Sequence, residues 1–159
     1  MSRMEIAGLP FHFLILHAAV VLAPLAALLA IAFALLPRWR YLTRWPTAVM
    51  AVVTLVTVWL SRLSGQSYLD SRPELAPLVR VHQERGEMLS LLTILFVVVV
   101  AVALWGLGGP SGFTSGSGAR TVRSAAVDRG LALAVVGASV LVLVWVLLTG
   151  DAGARAVWG

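Results

Sequence analysis

The chain has no cysteine and no lysine, and only 12% of its 159 residues are charged. The missing cysteine excludes disulfides, iron–sulfur ligation, zinc–thiolate sites and covalent c-type haem attachment. The low charge excludes an ordinary water-soluble domain, in which about 25% of residues are charged. There is no glycine-rich phosphate loop, no nucleophile elbow and no dinucleotide fingerprint, so the common signatures of nucleotide and hydrolase chemistry are absent. Histidine is scarce as well: His12, His17 and His82 are the full set.

What remains is mostly aliphatic. Hydrophobic residues make up 60% of the chain and the mean hydropathy is +0.94, which suits a lipid bilayer. All twelve basic residues are arginine, and the net charge is +5. Those arginines are dispersed at the ends of apolar runs, where anionic headgroups meet them, and no aromatic-interleaved basic patch is present; nucleic acid is therefore not an expected partner. The first apolar run lacks a small-residue cleavage site and reads as a retained helix, not a signal peptide.

Four segments meet the roughly 20-residue requirement for a spanning helix. They run from about Pro10 to Leu36, Pro46 to Ser64, Pro77 to Leu107 and Ser124 to Thr149. The expectation is an all-α membrane protein, a single domain built as a four-transmembrane-helix bundle. Pro10 suits the first position of a helix, and Pro24 removes a donor inside helix one, a defect neighbouring helices can absorb in a membrane. The connections are Pro37–Trp45, the polar turn Gly65–Ala76 and the Gly/Ser tether Gly108–Gly118; no internal repeat stands out. Trp39, Trp45 and Trp105 flank spans as interfacial anchors. Ala126, Gly130, Ala134 and Ala138 form a small-residue ridge suited to close helix contact.

Arginines number six on each side of the membrane by this topology. The short cluster Arg38, Arg40 and Arg44 places its side in the cytoplasm by the positive-inside rule, leaving the histidines and both termini outside.

The alternation of spans brings His12, His17, Arg62, Asp70, His82, Glu84 and Glu87 to one membrane face. Five steps of 100° leave His12 and His17 about 140° apart around their helix, so both cannot face one interior site. His17 lies roughly 10 Å deeper than Pro10 and shares a face with Pro24, which makes it the expected inward ligand, with His12 interfacial. His82 shares a face with Gly86, Leu89 and Thr93. A glycine one turn from a histidine leaves room for a flat ligand, though a close helix crossing needs the same space. The stripe Thr47, Thr54, Thr57, Ser61 and Ser64 on helix two is expected to bond its own helix or a neighbour.

Three readings follow. In the first, His17 and His82 are axial ligands of a b-type haem, with Gly86 and His12 beside it. In the second, His17 bonds across helices, His82 is solvated, and the protein is a structural or assembly subunit of a larger membrane complex. In the third, His82 with Glu84 or Glu87 and His17 or His12 holds copper or zinc, without an HxxE or ExxH unit to support it. Catalysis has no constellation of its own, because Asp70 and Glu74 lie among arginines and are explained by pairing or solvation.

The segment Gly8-Leu9-Pro10-Phe11-His12-Phe13-Leu14-Ile15-Leu16-His17, leading to Pro24-Leu25, resembles the opening of the bacterial membrane family catalogued as domain of unknown function 2231. Ser64-Gly65 with Tyr68-Leu69, Val81-His82 through Gly86-Glu87, and the tail Gly150–Trp158 are similar to its later blocks. The resemblance covers essentially the whole chain. Phe13 departs from it where a proline commonly stands, and Asp151 departs where many relatives carry histidine. Fusion of some relatives to Rieske-type iron–sulfur domains implies a redox setting, with a redox or membrane-complex partner.

Overall fold

The apolar runs are too long and too evenly hydrophobic for a water-soluble bundle, and they form helices that outrun the bilayer. The computed structural model describes residues 5–6, 9–107 and 125–158. A two-residue strand β1 (Glu5–Ile6) pairs antiparallel with β2 (Leu9–Pro10). Four helices follow: α1 (Phe11–Leu35), α2 (Arg40–Asp70), α3 (Ala76–Gly106) and α4 (Ala125–Trp158). Each contains a segment long and apolar enough to cross a membrane, with mean hydropathy between 1.6 and 2.8. The all-α, four-helix membrane bundle expected from the sequence is the architecture observed. Leu28, Leu133 and Leu147 are among many aliphatic side chains turned outward, which lipid solvates and water would not.

The helices close into a ring. α1 packs against α2 and α4, and α3 packs against α2 and α4. Short 3₁₀ turns at Pro37–Trp39 and Pro73–Leu75 join α1 to α2 and α2 to α3. Each begins on a proline that cannot extend the preceding helix.

The core is built on small residues from α1. Ala19, Ala23, Ala26, Ala30 and Ala34 are buried along one face, so the α1 backbone approaches its neighbours closely, the usual means of packing in lipid. Phe33, Phe96, Val100, Val135 and Val142 fill the space between. The α4 ridge turns mostly outward, away from the bundle's own core. Ala138 is buried, but Ala126, Gly130 and Ala134 are exposed, and nothing lies within 4 Å of where a Gly130 Cβ would sit. α4 meets the bundle through Val135, Ser139, Val142 and Val146 instead. The branched side chains bury more area there than alanines could.

The threonine stripe divides its bonds. Thr54 donates to Leu22 O at 3.2 Å and Thr47 to Leu29 O at 3.4 Å, tying α2 to α1, whereas Thr57 bonds back to Val53 O. At the end of the bundle away from the histidines, Arg40 donates to Phe33 O, Ala34 O and Leu107 O. Carbonyls at a helix C-terminus have no partner within their own helix, so this one guanidinium serves the ends of both α1 and α3.

Two helices exceed the expected boundaries. α2 starts six residues before Pro46 and continues through Gly65 to Asp70, so Pro46 lies inside the helix and Gly65–Asp70 is not a turn. Ser71 closes it, with its hydroxyl on Tyr68 O at 2.6 Å. α4 runs on past Thr149 to Trp158. Both extensions bear on the site. The expected Gly108–Gly118 tether and the Ser124 cap lie outside the described residues.

Candidate functional site

The N-terminal ends of α1 and α3 meet the C-terminal ends of α2 and α4 on one face of the bundle, and each pair is joined by a histidine. His12 Nδ1 lies 3.1 Å from Ser61 O and 3.1 Å from Ser64 Oγ. His82 Nδ1 lies 2.9 Å from Thr149 O. A carbonyl oxygen can only accept, so Nδ1 carries the hydrogen in both rings. In a neutral imidazole this leaves the lone pair on Nε2, the arrangement that prepares histidine as a metal ligand.

Each ring also rests on a glycine four residues beyond the carbonyl that holds it. A Cβ on Gly65 would stand 2.9 Å from His12 Cε1, and a Cβ on Gly153 would stand 3.0 Å from His82 Nδ1. The two glycines are therefore required by close approach, although each weakens its helix by about 1 kcal/mol relative to alanine. The pattern Ser61-x-x-x-Gly65 on α2 recurs as Thr149-x-x-x-Gly153 on α4. The α1–α2 and α3–α4 hairpins thus carry the same latch, a short repeat that the sequence reading did not pick out.

Between the latches lies a cleft of about 600 Å³, walled largely by aliphatic side chains from all four helices, among them Leu16, Leu69, Leu89, Val146 and Val157. His12, His17, His82, Gly86, Arg62 and Glu87 all border it. Of the expected layer, Asp70 and Glu84 are exposed and do not line the cleft, and Glu84 faces Arg80 at 3.9 Å instead.

The burial of the first two histidines is the reverse of that expected. His12 is half-buried and its ring lies near-parallel to Tyr68, 6.4 Å between centroids. His17 is exposed, at the edge of the cleft. The reason is the alanine stripe: His12 precedes Ala19 by seven residues and Ala26 by fourteen, so it falls on the buried face of α1. His17 falls with Val21 and Leu28, which are exposed. Burial holds the His12 imidazole below its ordinary 6.5, the charge of nearby His82 lowers it further, and the bond to Ser61 O opposes both.

Two reasons stood open for Gly86, room beside the histidine and a close helix crossing, and the geometry favours the first. A Cβ there would meet nothing nearer than Thr149 Cγ2 at 4.0 Å, so no close helix crossing demands it; its lack of a side chain simply widens the cleft. The residues that sequence reasoning missed are Gly65, Gly153, Ser61, Thr149 and Tyr68. Asp151, on the α4 extension, pairs with Arg155 at 3.0 Å and faces Arg85 at 3.7 Å. Arg85 also donates to Leu148 O.

Among the described residues, no three His, Cys, Asp or Glu side chains are arranged to hold a metal ion. No family model, curated protein or solved structure matches this chain.

Proposed function

We propose that this small four-helix membrane protein binds a b-type haem in the cleft and serves as a redox accessory or electron-transfer subunit. The observation that carries the reading is the matched pair of latches. Two imidazoles on different hairpins are fixed as Nδ1–H tautomers at the border of one apolar cleft, and a cleft of about 600 Å³ lies in the 300–1,000 Å³ range of cofactor pockets. Haem bound there supplies one-electron chemistry at its iron. The protein's part is to offer Nε2 lone pairs, hold the rings in register and exclude water.

The ligand pair we favour is His12 with His82, replacing His17 with His82. His12 has its Nδ1 tied to a backbone carbonyl and its ring seated on Gly65; the wall position of His17 suits the rim. The resemblance to the membrane family named above, with its redox setting, supports the same reading. The arginine cluster at Arg38–Arg44 supports an extracytoplasmic histidine face, and labelling of an introduced cysteine within residues 108–118 from either side of intact cells tests it.

Protein produced with ample haem is expected to show a Soret band and a sharp reduced α band. Both should be lost in His12→Ala and His82→Ala and kept in His17→Ala. Loss in His17→Ala with retention in His12→Ala restores the other pairing. Colourless wild-type protein ends the haem reading. It leaves the assembly subunit, for which the exposed ridge Ala126, Gly130 and Ala134 is the specific support.

A further inference from the structure

Resting on the haem reading, we infer that the cleft takes its ligand in one orientation, with a carboxylate-bearing edge on Arg62 of α2 and turned away from Glu87 of α3. Arg62 is the one arginine among the described residues that borders the cleft. Its guanidinium sits 5.3 Å from the ring centre of Trp59, half-buried, an arrangement that holds the cation in place without neutralising it. The described ion pairs engage Arg80, Arg85 and Arg155, and no carboxylate among the described residues lies within 4.0 Å of Arg62.

Glu87 is the acid on the cleft wall. It lies five residues into α3 from His82, half-buried, and no arginine among the described residues pairs with it. Ionisable groups at membrane depth are costly unless a partner or a site explains them. Here two opposite charges stand on adjacent helices, bordering one cleft, without bonding each other. They leave a field across it. A ligand with a flat apolar body and carboxylates along one edge matches that field in a single orientation; an uncharged ring of similar size does not use it.

The test compares haem b with its dimethyl ester, titrated into the apoprotein in zwitterionic and in anionic nanodiscs and followed at the Soret band. Wild-type protein is expected to bind the free acid about tenfold more tightly than the ester, the scale of one charge-assisted pair. Arg62→Gln should abolish that preference and leave ester affinity unchanged. Glu87→Gln should raise free-acid affinity about two- to threefold, and it keeps the proposal exposed if Arg62→Gln does not fold. Equal wild-type affinities, or a preference that survives Arg62→Gln, overturn the inference. So does a preference lost only in anionic lipid, which assigns Arg62 to headgroup phosphates. Absence of a Soret shift with either compound instead overturns the haem reading beneath it.

Discussion

The two ends of the bundle solve one problem with different donors. Both use side-chain N–H groups to hold helix carbonyls, Arg40 at one end and His12 with His82 at the other. Guanidinium is a donor only and stays charged, so every bond Arg40 makes is spent on closing helix ends. Imidazole donates from one nitrogen and carries a lone pair on the other, so a histidine latch has a second kind of bond to offer that a guanidinium lacks. The arginine end is a clasp, and the histidine end is a clasp for which we propose a second use.

Breaking the arginine end should cost the most stability and the least function. Arg40→Ala is expected to lose about 2–3 kcal/mol, since three carbonyls lose a charged donor, and, on the proposed haem reading, to leave the spectrum of the folded protein unchanged. Unfolding by SDS titration measures the first and the reduced α band the second. An altered spectrum in folded Arg40→Ala would erase the division between the ends.

The glycine seats come next. Gly65→Ala forces the His12 ring away from both its acceptors and should cost about 1–3 kcal/mol; Gly153→Ala should cost about the same or slightly less. Gly130→Ala, with open space around it, is expected to be neutral or to gain up to about 1 kcal/mol from better helix propensity. Equal effects at all three would mean the rings do not rest on these glycines as described.

A smaller effect separates the ends by pH. The unfolded His12 imidazole titrates near 6.5 and the folded one below it. As pH falls through that window the unfolded chain takes up the proton first, so stability drops, by at most about 1.4 kcal/mol per pH unit. The loss is complete once pH passes below the folded value. Unfolding midpoints of haem-free protein between pH 5 and 8 should show this slope, and His12→Asn should flatten it. Smallest of all, Asp151→Asn removes solvent-exposed contacts to Arg85 and Arg155 and should change stability by no more than about 0.5 kcal/mol; a larger loss would mark the α4 extension as a strut of the site.

The bundle was legible because long apolar runs admit few alternatives in lipid. The ends of α2 and α4 were not: Pro46 read as a helix start and the polar stretch after Ser64 as a stop, and Gly65 read as a turn, because a glycine demanded by a ring on another helix carries no local mark. The separation of His12 from His17 around α1 follows from helical geometry alone. Which of them faces inward required the position of the buried face, and the spacing of Ala19, Ala23, Ala26 and Ala30 was the available signal. The Ser/Thr-x-x-x-Gly pattern was also on view, but two occurrences of a small-residue spacing mean little until a histidine is seen to sit on each.

α1 begins and α4 ends beside each other, at the face that carries the cleft, and both His12 and Trp158 border it. A module joined at the start of α1 or the end of α4 would therefore sit at the mouth of the cleft, where even a short flexible tether sets a local concentration in the millimolar range.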